Sequence, residues 1–228
     1  MDISIVIPNY NGKHLLTHNM ERVVASSQGA EIIIVDDCST DGSVEYIEKY
    51  FSRVKLIKKI TNTGFASSVN IGVSASEGEV VILLNTDVVP HKDFFKPLIA
   101  HFIKDPQVFA VGCLDESFEL GQKINRGRGI GQFARGFLQH RLGEIHGSST
   151  LWASGGSSAF RKSFWFKLGG MDELYSPFYY EDIDISYRAL KSGYKVLFEA
   201  QSMVEHHHER GSIKNEFNPL YIKTTAYR

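Results

Sequence analysis

Residues 80–90 read VVILLNTDVVP. Five apolar residues pass without interruption, and the chain then turns polar at Asn85, Thr86 and Asp87. A short, continuously apolar, β-branched run is the pattern of a strand covered on both faces. Its polar ending sets an amide, a hydroxyl and a carboxylate on a rigid support. The pattern recurs upstream: ISIVI leads into PNYNG, EIIIV into DDCSTDG, and VKLIKKI towards TNTGF.

Between these runs the spacing predicts helices over 14–26, 43–51 and 64–76. A hydroxyl from Ser39 or Thr40 is expected to cap the second. Asp93 is expected to cap a further helix whose Phe94, Phe95, Leu98, Ile99 and Phe102 form one apolar face, stopped by Asp105-Pro106. VFAVG follows as another strand. This alternation predicts an α/β fold with a mostly parallel central sheet flanked by helices. Such sheets bind ligands beyond the carboxyl ends of their strands, so the four polar clusters are expected at one edge of one sheet.

Composition narrows the class. The 228 residues are 43% hydrophobic and 22% charged, enough for one sizeable core. A net charge of −1 gives no basic footprint for nucleic acid, so none is expected as a partner. Two cysteines, Cys38 and Cys113, are too few for a disulfide framework or a Cys-based zinc site, which fits a reducing, cytoplasmic setting. No signal-peptide pattern opens the chain, and no apolar run approaches the ~18 residues of a membrane span. The abrupt ending NPLYIKTTAYR predicts further chain beyond Arg228, such as a membrane-attaching segment.

Residues 120–147 break the pattern, holding seven of the 20 glycines with Arg126, Arg128, Arg135 and Arg141 interspersed. They read as a solvated loop or as a flap ordering over an anionic substrate. Regularity returns at LWASGGSSAFRKSFW. A last helix is expected over 181–191, ending at Ser192-Gly193, with YKVLFEA and MVEHH as closing strands.

Several clusters permit chemistry. A diphosphate suits an acidic crevice only with a divalent cation between them, and Mg²⁺ or Mn²⁺ takes carboxylates plus substrate phosphates. Asp87 is the natural first ligand, although Asn and Asp after a strand also make simple turns. Asp36 and Asp37 end their strand alike; one can read a base or ribose hydroxyl while the other caps a helix. No GxGxxG follows the first strand, which argues against a Rossmann dehydrogenase. In FYYEDIDISYRALKSGY, Ile183, Tyr187 and Leu190 are expected to face the core. Asp184 and Arg188 are spaced for an ion pair. The aromatics before Glu181-Asp182 suggest a pocket wall beside a general base. Of the histidines at 206–208, at most two share a side of a strand, so one metal ligand is plausible and a His-based zinc site is not.

Taken in order, PNYN, VDDCSTDG, NTGFASSVNIG, LLNTDV, RGRGIGQF, SGGSSAFRK, GGMDELY, YYEDIDISYR and VEHH resemble an inverting glycosyltransferase of family 2. The likeness is strongest to the rhamnosyltransferase-like branch that builds surface polysaccharides. It covers about nine-tenths of the chain and implies a GT-A fold, a Rossmann-like nucleotide-diphospho-sugar transferase architecture. The implied layout is one catalytic domain over 1–228, with a nucleotide-sugar half at 1–112, an acceptor half at 113–210 and an extension at 211–228.

The resemblance points to Pro8, Tyr10, Asn11, Asp37, Asn62, Gly64, Asn70, Asn85 and Thr86 around the nucleotide sugar. Asp182 is the implied base, and Asp87 with His206 the implied ligands of Mg²⁺ or Mn²⁺. Asn85 stands where the family's metal motif commonly has a first aspartate. Trp152, Gly155, Gly156, Glu181 and Arg161 fall on the acceptor side. The implied donor is a dTDP-, UDP- or GDP-sugar, and the acceptor a glycan or lipid-linked hydroxyl at the inner face of the membrane. Two alternatives share parts of this pattern. A sugar nucleotidyltransferase would need a Gly-rich basic loop where PNYNG stands, and a catalytically dead binding module would need neither base nor metal carboxylate.

Overall fold

The computed structural model describes residues 1–27, 29–119, 122–206 and 218–226. The alternating first half forms as expected: β1 (Ile3–Asn9), α1 (Lys13–Ser26), β2 (Glu31–Asp36), α2 (Ser43–Tyr50), β3 (Lys55–Lys58), α3 (Phe65–Ala75) and β4 (Val80–Leu84). There follow β5 (Val88–Pro90), α4 (Phe95–Lys104), β6 (Val108–Glu119), β7 (Gln122–Arg126), β8 (Gly129–Ala134) and β9 (Phe137–Leu142). The remainder is β10 (Ser157–Arg161), α5 (Lys162–Leu168), a 3-10 turn (Glu173–Tyr175), α6 (Glu181–Lys191), β11 (Lys195–His206) and α7 (Pro219–Ala226).

The central sheet runs β3-β2-β1-β4-β10-β6-β11-β5, with β7 paired to β6. Strands β1 to β4, β6 and β11 share one direction; β5, β7 and β10 run against it. The sheet is thus mostly parallel, as the βα alternation implies. Continuous apolarity has its reason in two cores. Ile5, Ile7, Ile32, Ile34, Ile82 and Leu84 pack under α1, α2 and α4. Val6, Ile33, Val35, Val81 and Leu83 pack on the other face, under α3, α5 and α6. Every second residue serves each layer.

The opening stretch contains two strands. β4 lies centrally and β5 at the far edge, four strand spacings away, roughly 19 Å across a flat sheet. Four backbone steps from Leu84 to Val88 reach at most about 14 Å, so the sheet must curl. That curl brings β11 and β5 round to the crevice above β1 and β4.

Several local expectations are corrected. Ser39 and Thr40 do not cap α2: its N-cap is Gly42, and Asp41 Oδ1 instead accepts the Ser43 N–H at 2.9 Å. No side chain caps α4; Asp93 makes only an exposed ion pair with Lys96. In α6 Ile183 is buried as expected, but Tyr187 is half-buried and Leu190 exposed, because the helix turns Ile185, Ser186 and Ala189 to the sheet. KVLFEA and MVEH join as one strand, β11, with an irregularity between Glu199 and Met203. Residues 122–142 are not loop but largely three strands, with β8 and β9 pairing as a separate two-stranded sheet.

Candidate active site

The carboxyl ends of β1, β2, β4 and β11 open into a cavity of about 340 Å³. Its lining includes Pro8 and Asn9 at the end of β1 with Tyr10 after it, Asp37 after β2, and Asn62 and Gly64 before α3. Asn85, Thr86 and Asp87 follow β4, Gly155 and Gly156 precede β10, and Glu181 and Asp182 open α6. His206, at the end of β11, closes one side. Asp37, Asp87 and Asp182 therefore border one hollow, although 145 positions of sequence separate the first from the last.

Four expected site residues lie outside the lining: Asn11, Asn70, Trp152 and Arg161. Asn11 Oδ1 accepts the Thr40 N–H at 2.9 Å, tying the first loop to the second. Asn70 bridges α3 to the segment before the 3-10 turn: its Nδ2 donates to Met171 O at 2.8 Å, and its Oδ1 accepts the Met171 N–H at 3.0 Å. Trp152 stacks edge-on with His140, ring centroids 5.3 Å apart. Arg161 is corrected outright. It pairs in register with Val80, where β4 begins, so it sits at the opposite sheet edge. Its guanidinium donates to the carbonyls of Phe102, Asp105 and Val108, clamping α4 to β10. His207 and His208 lie outside the described residues.

Asp37 is buried and organises the donor side. Its Oδ1 accepts the Thr63 N–H at 3.0 Å and meets Lys59 Nζ at 2.6 Å; its Oδ2 accepts the Gly64 N–H at 2.8 Å. Three of about four acceptor positions are engaged, which leaves capacity on Oδ2 for a ligand donor. Gly64 has φ of +90°, and a Cβ there would meet Ser176 Oγ at 2.8 Å, so the loop requires glycine. At Gly156 a Cβ would stand 2.6 Å from Asn85 Nδ2, so a side chain there would push the Asn85 amide out of its place.

The two acidic neighbours on α6 have different surroundings. Tyr179 and Tyr180 both adopt positive φ, 79° and 74°, a costly conformation for such residues and one that concentrates at functional sites. This kink turns the helix start into the cavity. Asp182 Oδ2 accepts the Gly155 N–H at 3.2 Å, and Oδ1 accepts the Ile183 N–H at 2.8 Å. Burial raises its pKa while those two N–H groups oppose the rise. Glu181 is buried too, and its Oε2 has no hydrogen-bond partner among the described residues. Burial, and then the Asp182 charge, push it up to about 8. Burial thus raises both carboxyls, while the two backbone N–H donors favour a charge on Asp182 that nothing equivalent among the described residues favours on Glu181 Oε2.

At the other wall, His206 Nδ1 lies 2.7 Å from Asp115 Oδ2, and Nε2 lies 3.4 Å from Asp87 Oδ1. A carboxylate only accepts, so Nδ1 carries the proton. Burial opposes a charge on the ring, but Asp115 and Asp87 outweigh it and push His206 up to about 9. Asp115 had no place in the sequence reading. The available signal was the one used elsewhere, carboxylates after the apolar run of β6. Asn9 was also missed, although it lines the cavity and donates to Asp36 Oδ2 at 2.7 Å.

Asp87 and His206 suit a hard divalent cation only with the ring neutral at Nε2, so a cation there would replace the proton that Asp87 now favours. A carboxylate oxygen and an imidazole nitrogen face one point, with the ring oriented by Asp115, as metal-binding histidines usually are. Among the described residues no group of three or more His, Cys, Asp or Glu is arranged to hold a metal. Two protein ligands leave positions for phosphates and water, the habit of Mg²⁺ and Mn²⁺ rather than of structural zinc.

A curled, mostly parallel sheet with a polar crevice at its strand ends defines the class: a GT-A architecture, the fold of nucleotide-sugar transferases. The glycosyl transferase family 2 model matches residues 4–166, and the chain belongs to that family. The chain is similar to the pre-mycofactocin glycosyltransferase of Mycobacterium tuberculosis, 25% identical over 91% of this chain and 43% of that protein. A dolichol-phosphate mannosyltransferase of Pyrococcus furiosus is 30% identical over 49% of this chain and 33% of its own length. Among solved structures, GalNAc-T7 with UDP, GalNAc and Mn²⁺ superposes with a TM-score of 0.75 at 23% identity, covering 91% of this chain and 44% of that one. Staphylococcus aureus TarS 1-349 with UDP-GlcNAc gives 0.66 at 19%, covering 91% and 58%. The chain spans less than two thirds of these relatives.

Proposed function

We propose that this chain transfers a sugar from a nucleotide-diphosphate donor to an acceptor hydroxyl with inversion at the anomeric carbon. The observation that carries the reading is the shared cavity bordered by Asp37, Asp87 and Asp182. The donor's nucleoside lies against Pro8, Tyr10 and the loop that Asp37 holds, and its diphosphate beside Asn85 to Asp87. Asp87 and His206 would hold Mg²⁺ or Mn²⁺, which when bound offsets the charge of the leaving diphosphate.

Asp182 accepts the proton of the attacking hydroxyl. Its oxygens are steered by Gly155 and Ile183 N–H groups, so the base is held rather than sought. Neutral Glu181 adds no second negative charge beside it and can donate a hydrogen bond to a sugar hydroxyl. Phe178 and Tyr179 supply an apolar wall that keeps water from competing with the acceptor. The acceptor is a glycan or lipid-linked hydroxyl. The resemblance in sequence favours a rhamnosyl donor, surface-polysaccharide synthesis and a place at the inner face of the membrane.

A thermal-shift panel of dTDP, UDP and GDP with and without Mn²⁺ tests the reading. One nucleotide at ~100 times its dissociation constant is expected to stabilise the protein by about 2.7 kcal/mol. That corresponds to roughly 5–10 °C for a chain of this size. No shift with any nucleotide in the presence of Mn²⁺ overturns the proposal and favours a glycan-binding module.

A further inference from the structure

The chain's small net charge hides an asymmetry. Residues 122–147 carry five basic side chains, two of them the exposed Arg135 and Arg141, against the single carboxylate Glu144. The β8–β9 hairpin lies in this segment, off the central sheet. It closes through a two-residue turn, Arg135-Gly136, with φ of 54° and 82°. Phe133 and Phe137 flank the turn and are 62% and 72% exposed.

Register decides what that tip can do. Phe133 pairs with Leu138, and Ala134 with Phe137. Paired residues share a face and neighbours alternate, so the two phenylalanines stand on opposite faces of the ribbon. A protein partner with a flat surface would cover one of them and leave the other in water. End-on entry into a soft apolar medium covers both. The base of the hairpin is fixed: Leu151 N–H donates to Gly129 O at 2.8 Å and Gly143 N–H to Arg128 O at 2.8 Å. His140, one strand position from Arg141, packs near Trp152 and Tyr180, with ring centroids 5.3 and 6.0 Å away. The tip therefore projects from a rigid mount beside the mouth of the cavity.

We propose that the β8–β9 tip docks on an anionic lipid bilayer, Phe133 and Phe137 entering the interface while Arg135 and Arg141 meet the headgroup charge. Apolar side chains flanked by cations are the chemistry such surfaces retain. The surface is independent of what the cavity transfers. If the acceptor is lipid-linked, docking brings it to the Asp182 side.

The test is flotation of the purified protein with vesicles of phosphatidylcholine containing phosphatidylglycerol, against phosphatidylcholine alone. The protein is expected to float with the anionic vesicles, less with neutral ones, and to be released by salt. Phe133→Ser with Phe137→Ser should lower the partition at least about tenfold with little change in Tm, since neither ring is packed. Arg135→Gln with Arg141→Gln should remove the anionic preference. A second measurement uses an environment-sensitive dye on Arg135→Cys, whose emission should shift blue on anionic vesicles. The proposal is overturned if the wild-type protein fails to float, if the double Phe variant floats equally, or if the dye stays water-exposed. A dimer that the Phe variant dissociates, without vesicle binding, would assign the tip to a second copy instead.

Discussion

Asp182 and Glu181 are adjacent in sequence and opposed in environment, and two predictions belong to them. Asp182→Asn preserves the shape, keeps one oxygen to accept a backbone N–H, and cannot take a proton. Turnover is expected to fall by about 10²- to 10⁴-fold, while the nucleotide-induced rise in Tm persists. Near-normal turnover would remove Asp182 from the base role. Glu181 is tested through stability. Its folded pKa, about 8, is above the ordinary 4.5, so over that window the folded state retains a proton that the unfolded state has lost. Unfolding then releases a proton, and stability must fall as pH rises from about 4.5 to 8. Glu181→Gln should flatten the decline of Tm between pH 5 and 8. An unchanged slope would mean that the Glu181 carboxyl is not the group that titrates. In the sequence the aromatics before this pair and the family resemblance already pointed to a base at Asp182, but position in a helix's first turn, which also suits the dipole, could not tell the two environments apart.

Elements act on the site by holding one another, and Asn70 illustrates the difference between lining a cavity and supporting it. The resemblance in sequence put it beside the nucleotide; its amide instead makes both bonds to Met171. Asn70→Ala is expected to cost about 1–3 kcal/mol of stability, seen as a lower midpoint in urea. Nucleotide affinity should stay within about twofold. A large affinity loss without loss of stability would restore the binding role. Elements also explain which expectations missed. SSAFR is short and rich in small residues, and nothing local marks it as the antiparallel β10 lodged between β4 and β6. GIGQFARGFLQHRL does alternate around an Arg-Gly turn, but its glycines mask the strand pattern, because glycine has no side chain to register a face.

At the scale of the whole molecule, the crevice exists because the sheet curls. Asp87 and His206 come from strand ends 119 positions apart, and only the curl that sets β11 and β5 against the β4 end brings them within 3.4 Å. Asp87→Asn keeps the turn and removes the charge. In that variant the Mn²⁺-dependent part of nucleotide stabilisation should vanish, as it should for the wild-type protein in excess chelator. The metal-independent part, carried by the Asp37 side, should remain. Equal Mn²⁺ dependence in both proteins would exclude Asp87 as a ligand.

The chain itself determined the parallel half of the sheet and the common edge where its polar tips gather. Those follow from local rules: an apolar run buried on both faces is a strand, and the residue after it lies at the strand's end. Tertiary structure alone decided that Asp115 orients His206, that Glu181 is buried, that Arg161 belongs to the opposite edge, and that the arginine-rich segment is a projecting hairpin. Each of these depends on contacts between strands far apart in sequence, and the forces that select such contacts leave no periodic trace in the residues that make them.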